Sequence, residues 1–333
     1  MRITGLCRSI GGWDEVDDVA KLLELRRDAR QIVWIEADVS GSSAIDVREL
    51  ASGFALDELA VEDALHPRQR PKLEPYPGHL LVILDDLEEI DDQLEPRQVA
   101  AFVGQGFVIV LHHGAGRLMG EARRRMTAEE PAAVTIDTML HGLLDTTVDG
   151  YEAKAQELTD EVEELEMQAL AAARADDRDD PDPPELPSQY RLYTVKQQVS
   201  MLRRFAVPLS GVAERLASAS GEEEAPERSE REFRDVEDHL LRLAAHIRNI
   251  DDLAGSVLDL ARSVQADTLN DVNKKLSGWA AVLAGPALIV GLYGTNIGLD
   301  PKWLGHWGIV YVLGLCFATS AVIYAFFKRR GWI

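Results

Sequence analysis

The sequence predicts an α+β domain, a mixed sheet flanked by helices, followed by a long helical stalk and a C-terminal pair of membrane-spanning helices. Two uncharged apolar runs, 276–293 and 308–327, are 18 and 20 residues long. As helices they would measure about 27–30 Å, close to the hydrocarbon core of a bilayer. A heptad pattern leads into the first run, and short apolar runs alternate with helical segments near the N-terminus.

Residues 1–130 form the predicted α/β domain. Helices are predicted from Val47 and over 56–65, and we expect them to pack against a sheet. No glycine-rich phosphate loop follows a strand in the required context. Three unbroken apolar runs are typical of buried strands: 31–35, 79–84 and 106–111.

Residues 131–228 are predicted to form long antiparallel helices with one break. Strong helix formers extend to about Ala175 and again from Gln189 to about Ala219. The segment 176–188 contains four prolines and a run of aspartates. Such a segment cannot continue a helix, so it separates the two.

A stalk helix is predicted over 229–275. Its apolar positions from Val236 to Val264 are spaced alternately by four and three residues, which is a heptad seam. From Ser229 to Asn296 is 68 residues, or about 100 Å if wholly helical. A seam of this length needs partner helices, from this chain or from copies of it.

The membrane hairpin is divided into a first helix at 276–296, an extracytoplasmic loop at 297–307, a second helix at 308–327 and a basic tail at 328–333. Trp303 and Trp307 are interpreted as interfacial anchors. A buried hairpin within a soluble protein is the alternative interpretation.

Basic residues predict the orientation of the hairpin. Lys274, Lys275 and the bases at 328–330 lie on one side, and only Lys302 lies in the loop. By the positive-inside rule, both termini are then cytoplasmic and the protein is a multi-pass protein of the plasma (inner) membrane. The N-terminal residues have no apolar core typical of a cleaved signal peptide.

The charge of the chain is uneven. The net charge is −22, but residues 270–333 carry +4, so residues 1–269 carry −26. A segment with this charge would be repelled by nucleic acid and would attract cations. An acidic surface that serves only solubility would have the same composition. Cys7 and Cys316 are not expected to form a disulfide, which agrees with a reducing compartment.

One face of the first membrane helix is small or polar. Such a face suits close helix packing, and it also suits the lining of a water-filled pore. An amide at a membrane helix end usually has a functional or hydrogen-bonding reason, which draws attention to Asn296. The residues of this face are Asn273, Leu276, Ser277, Ala280, Ala284, Ala287, Gly291, Thr295 and Asn296.

The order YGTN after a proline-containing membrane helix, then a short loop, a second membrane helix and a basic tail, resembles the CorA family of divalent cation channels, whose signature is YGMN. The resemblance extends in the same order along nearly the whole chain. Further matching segments are 61–63, 69–72 with Glu74, 233–236, 258–259 and 270–276.

The resemblance implies a funnel-shaped homopentamer in the lipid bilayer, in which five first membrane helices line one pore. It implies passive uptake of hydrated Mg²⁺, with Gly294, Thr295 and Asn296 at the pore mouth. Thr295 replaces the signature Met and leaves open a preference for Zn²⁺, Co²⁺ or Ni²⁺. Ala284 and Ala287 stand where bulkier residues are usual, so a hydrophobic gate is expected nearer Leu276.

The resemblance also implies regulatory Mg²⁺ sites between subunits of the cytoplasmic funnel. Asp235 and Asp259 match family positions of that kind, and the acids Glu88, Glu89 and Asp91 are candidate partners. Exposed acids on a helix are more often simply solvated. Lys328, Arg329 and Arg330 would form a basic collar, although their role in topology explains them equally well.

Two other functions stay open: a proton-coupled zinc transporter of the ZntB type, and a membrane-anchored scaffold that has lost transport. An enzyme is not expected, because no set of nucleophile and base stands out. The His112–His113 pair is interpreted as the end of a strand, since no third ligand has a recognisable spacing.

Overall fold

In the computed structural model the chain forms two compact units, residues 1–166 with 188–256, and residues 167–187 with 257–333. The predicted fold class is confirmed: a mixed sheet with helices, a long helix and a C-terminal helix hairpin. The structure describes residues 2–9, 12–26, 28, 31–40, 44–66, 69–176, 186–219, 227–294 and 307–332.

The first unit contains a seven-stranded sheet in the order β2-β1-β3-β7-β6-β5-β4. Only the β3–β7 pair is parallel among these neighbours. The strands are β1 (Arg2–Ser9), β2 (Gly12–Val16), β3 (Val33–Asp38), β4 (Lys72–Tyr76), β5 (His79–Ile90), β6 (Gln93–Gly104) and β7 (Phe107–His112).

Eight α-helices are described, together with one 3₁₀ turn at Pro131–Ala133. The helices are α1 (Val19–Arg26), α2 (Ala44–Phe54), α3 (Glu58–Leu65), α4 (Gly116–Ala128), α5 (Ile136–Asp176), α6 (Gln189–Ala219), α7 (Glu227–Gly294) and α8 (Gly308–Arg329).

One face of the sheet packs against α1, α2 and α3. Ile35, Ile83 and Phe102 from three strands join Leu22 and Phe54 from two of these helices in one buried cluster. Side chains alternate along a strand, so the strand residues next to Ile35, Ile83 and Phe102 point to the other face of the sheet. Burial on both faces explains why β7 and the first half of β5 have nearly continuous apolar sequences.

The sequence prediction missed four strands, β1, β2, β4 and β6. Their sequences mix polar residues, glycine or proline with the apolar ones, as in QLEPRQVAAFVG of β6, and no strong period results. β5 is also longer than its apolar run and continues through the acidic segment to Ile90. Those acids therefore lie on a strand and its turn, and not in a loop.

The heptad seam of α7 is buried within this one chain, at least in the first unit. Val236, Leu240 and Ile247 are each no more than 1% exposed. Thr159 of α5 contacts His246 of α7 at 2.9 Å, and Lys196 of α6 donates to Asp251 at 2.7 Å. The partner helices that the seam requires are therefore α5 and α6.

The second unit contains the two helices that are long and apolar enough to cross a membrane. They are the C-terminal part of α7 and the whole of α8. In the most apolar 18-residue stretch of each helix, 6% of the residues of α7 and 0% of those of α8 are buried. A core hairpin of a soluble protein would be mostly buried, so these exposures favour the membrane interpretation.

Candidate ion pathway

The predicted small face of α7 is exposed along its whole described length. Every described member of the row is exposed in the single chain, and Leu276 is its largest apolar side chain. Thr295 and Asn296 lie outside the described residues. The described members are Asn273, Leu276, Ser277, Ala280, Ala284, Ala287, Gly291 and Gly294.

A different face of α7 packs on α8. A Cβ added to Gly285 would lie 2.8 Å from Cδ1 of Ile323, so the Ile323 side chain packs directly on the Gly285 backbone. Val282 and Pro286, on the same face, also contact α8. At about 100° per residue, this face lies on the opposite side of α7 from Ala284, Ala287 and Gly291 as a row, about 140–200° away.

Large apolar side chains flank the two faces. Leu283, Leu288 and Val290 are more than half exposed. Around its circumference α7 thus presents a contact with α8, two apolar flanks and a row of small residues. Within the chain, the small row is not the surface on which the two helices pack. The row that α8 leaves open consists mainly of small residues and is polar at its N-terminal end, at Asn273 and Ser277.

The two predicted regulatory acids of α7 are exposed. The Asp235 side chain is 66% exposed and lies 3.8 Å from Nε2 of His239, whose Nδ1 is 4.0 Å from Glu152. Asp259 is 81% exposed and lies 3.6 Å from Arg262. Exposed carboxylates at these positions are available to a neighbouring molecule.

The other predicted regulatory acids lie on β5 or in the turn after it. Two of them form ion pairs with basic residues, and the third is part of the turn. Arg97 donates to Glu88 at 2.9 Å, and Lys154 donates to Glu89. Asp91 has a φ of 51°, in the left-handed region, and forms a two-residue hairpin turn with Asp92. Within the described chain, no three His, Cys, Asp or Glu side chains come together to hold a metal ion.

The predicted basic collar lies at the C-terminal end of α8. Nζ of Lys328 lies 5.7 Å from the ring centre of Tyr324, and the Arg330 guanidinium lies 4.9 Å from that of Phe326. Aromatic faces attract cations, and bases are favoured at a helix C-terminus by the helix dipole. These contacts hold the two bases against the end of the helix.

The matching segments 61–63 and 69–72 fold into one polar cluster between α3 and β4. Asp63 accepts from Lys72 at 2.5 Å and from Gln69 at 3.2 Å, and Lys72 also donates to Glu74. The Lys72 ammonium holds the pKa of Asp63 below its usual range. The cluster joins the helix to the strand and is a structural feature of the domain.

Sequence analysis missed a buried aspartate, Asp85, and a buried tyrosine, Tyr151, that bonds to its backbone carbonyl. Asp85 is fully buried, and neither of its carboxylate oxygens has a hydrogen-bond partner in the described part of the chain. The buried Tyr151 hydroxyl donates to the Asp85 carbonyl oxygen at 2.6 Å. Burial raises the pKa of Asp85 to about 7, partly offset by Arg204. No local signal in LDDLEE distinguishes this acid from its exposed neighbours.

The pair His112–His113 lies at the end of a strand, as predicted: His112 is the last residue of β7, and His113 follows it. His112 is buried, and its Nε2 lies 3.5 Å from Oε1 of Glu36 on the neighbouring strand. Burial lowers the pKa of His113 below its ordinary value.

Comparison with protein families gives one match over most of the chain. The model of the family described as CorA-like Mg²⁺ transporter protein matches residues 29–329. The cobalt/magnesium transport protein CorA of Thermotoga maritima is 26% identical over 325 residues, which cover 95% of this chain and 87% of that protein.

Solved structures share the fold. The complete structure of the CorA magnesium transporter from Methanocaldococcus jannaschii has a TM-score of 0.78 at 17% identity, covering 100% of this chain and 99% of that one. The ZntB cytoplasmic domain from Vibrio parahaemolyticus has a TM-score of 0.60 at 11% identity, covering 80% of this chain and 99% of that one. At these identities the likeness concerns the fold alone.

Proposed function

Because the chain belongs to the family of CorA-like Mg²⁺ transporter proteins, we propose that it is a channel for passive uptake of hydrated divalent cations, with Mg²⁺ as its main substrate. The family match makes the chain a CorA-type divalent cation transporter, and this match over residues 29–329 carries the proposal. The exposed row of small residues on α7 supplies the surface that such a pathway needs.

The proposed pore is built from several copies of the chain, and we take the number as five. In each copy the row from Asn273 to Gly291 faces the axis, and α8 lies outside it, because the two faces of α7 are opposite. The apolar flanks at Leu283 and Leu288 then contact neighbouring copies. Leu276, the largest apolar member of the row, is the proposed gate.

The proposed filter is a ring of Asn296 amides at the extracytoplasmic mouth, beside Gly294 and Thr295. Mg²⁺ gives up its water reluctantly, so amide oxygens would bind the ion through its hydration shell. An inside-negative potential drives entry with about 2.3 kcal/mol per charge per 100 mV, or about 4.6 kcal/mol for a divalent ion. Both termini lie in the cytoplasm in this arrangement, with the bases 328–330 around the inner mouth.

Zinc transport coupled to protons is the second candidate. The observation that favours it is Thr295 in place of the signature Met, since the ZntB branch also varies at this position. Uptake by proteoliposomes separates the candidates, with Mg²⁺, Zn²⁺, Co²⁺ and Ni²⁺ tested with and without a pH gradient. We expect Mg²⁺ uptake that is driven by the membrane potential and does not change with the pH gradient. Dependence on the gradient supports the second candidate, and absence of all flux supports a scaffold.

The first prediction concerns the filter. Asn296→Ala should lower Mg²⁺ uptake at least tenfold, because the amide would serve the ion and not the packing of the protein. Size-exclusion chromatography of the variant should give the same oligomer as the wild type. Undiminished uptake in a correctly assembled variant would remove Asn296 from the filter.

A further inference from the structure

The helix α7 contains a gap in its backbone hydrogen bonds at Pro286. Proline has no N–H, so the carbonyl of Val282, four residues earlier, has no donor at the usual position. Pro286 lies about 15 Å along the helix from Leu276, near the middle of the proposed membrane span. The Val282 carbonyl is on the face toward α8, away from the proposed pore, where hydrocarbon supplies no water to replace the donor, so the carbonyl needs a partner from protein.

The neighbouring helix provides that partner. Oγ of Ser320 on α8 donates to the Val282 carbonyl oxygen at 3.4 Å, a long hydrogen bond. The next carbonyl of this face, that of Pro286, has the Cys316 thiol at 3.9 Å. Gly285 lies on the same face, and side-chain atoms of Ile323 and Thr319 pack on it where a larger residue would place its Cβ.

We propose that Ser320 is a positioning residue: its hydroxyl replaces the donor that Pro286 removes, and so holds the course of α7 beyond the proline. Membrane helices bend at prolines because one backbone bond is missing. A bond from α8 to the freed carbonyl restricts that bend. Its effect on transport rests on the proposed function, because Ala287, Gly291 and Gly294 lie beyond the proline on the opposite face.

The proposal is tested with the full-length protein in lipid nanodiscs and proteoliposomes. The variants are Ser320→Ala, Ser320→Thr, which keeps a hydroxyl, Pro286→Ala, and the double variant of Ser320→Ala with Pro286→Ala. Tyr311→Phe is the control, because it removes one hydroxyl from an exposed position of the same helix. Hydrogen exchange of the peptide that spans residue 286 and the initial rate of divalent ion uptake are measured.

Ser320→Ala should raise the exchange rate of this peptide about threefold, and at most about twentyfold, as expected for one interhelical hydrogen bond. Uptake should change by a similar factor while the ion concentration at half-maximal rate stays the same, because the filter is untouched. Ser320→Thr and Tyr311→Phe should behave as wild type. In the Pro286→Ala background, Ser320→Ala should have no further effect, because the new N–H supplies the donor.

Two results would overturn the proposal. One is wild-type exchange in Ser320→Ala. The other is an effect of Ser320→Ala that persists undiminished when Pro286 is replaced, since the hydroxyl would then not be compensating for the proline. A further outcome is that neither the wild type nor any variant transports ions, while hydrogen exchange still shows that the effects of Ser320→Ala and Pro286→Ala are coupled. In that case the proposed function fails, and the positioning of α7 by Ser320 stands.

Discussion

Asp85 is a carboxylic acid buried in the sheet without a partner for its side chain in the described chain, and it should make stability depend on pH. Its folded pKa is about 7, above the value near 3.9 expected in the unfolded chain. Between these values the folded state keeps a proton that the unfolded state loses. Stability therefore falls as pH rises through this window, by about 4 kcal/mol in all, and levels off above pH 7.

The second prediction follows from this fall in stability with rising pH. Asp85→Asn keeps the shape of the side chain and cannot ionise, so the variant should gain thermal stability relative to wild type as pH rises from 5 to 8. The measurement is the unfolding temperature across that range. Asp252→Asn, at an exposed site, is the matched control and should follow the wild type. A constant difference between Asp85→Asn and wild type at all pH values would contradict the assignment.

Thr295 stands where the resemblance to the CorA family implies the Met of the YGMN signature. The third prediction is that Thr295→Met changes the ranking among Mg²⁺, Zn²⁺ and Co²⁺ uptake rates by several-fold, because this position flanks the proposed Asn296 ring. The amount of protein in the membrane should stay the same. Preserved ratios among the three ions would make Thr295 a packing residue only.

At the scale of elements, the long strand β5 extends beyond its neighbour β4. β4 pairs with β5 only up to Ile83, and residues from Leu84 onward pair with β6 alone. Backbone groups on the unpaired side need other partners. The Tyr151 hydroxyl from α5 meets this need at the Asp85 carbonyl. The contact joins the helix to the sheet at the point where the strand loses its neighbour.

The fourth prediction tests this contact. Tyr151→Phe leaves a buried carbonyl without its donor, which should cost about 1–3 kcal/mol of stability. The unfolding temperature of the purified protein should fall accordingly. Tyr190→Phe, which removes a hydroxyl from a side chain that is 68% exposed, should leave it unchanged. Equal unfolding temperatures for both variants would mean that water replaces the Tyr151 hydroxyl.

At the scale of the whole molecule, the dominant property is the charge of −26 on residues 1–269. Copies brought together should repel one another wherever acids face across an interface. A divalent ion between Asp235 and an acid of the neighbouring copy would relieve that repulsion. Such binding stabilises one arrangement by about 2.7 kcal/mol per site at a hundredfold excess over Kd. Several interfaces together could switch a ring between closed and open.

The fifth prediction is that millimolar Mg²⁺ protects residues 1–269 from proteolysis and that Asp235→Lys weakens this response, because a fixed ammonium can replace the bridging ion. Limited proteolysis with Mg²⁺ or with chelator measures it. Asp252→Lys makes the same charge change at another exposed site of α7 and should keep the response. If the wild type is digested equally with Mg²⁺ and with chelator, the prediction is wrong, and the acidic residues of 1–269 serve only solubility.

The sequence by itself determined the features that a local, periodic pattern encodes. Two uncharged runs predicted the helix hairpin, and spacings of four and three predicted a long helix that the structure places at Glu227–Gly294. The small row of α7 followed from the same period. The family was recognised from short segments in a fixed order. All of these signals can be read from a few neighbouring residues because helical periodicity and hydropathy are local properties.

Tertiary structure decided what those patterns contact. Only the fold shows that the part of the α7 seam in the first unit lies against α5 and α6 of the same chain, and that the small row faces away from α8. Asp85 and Tyr151 are 66 residues apart, and Val282 and Ser320 are 38 apart. Neither pair has a spacing that a sequence could reveal. Burial and hydrogen bonding between distant residues arise from packing, because the chain must satisfy each buried polar group with whichever element lies beside it.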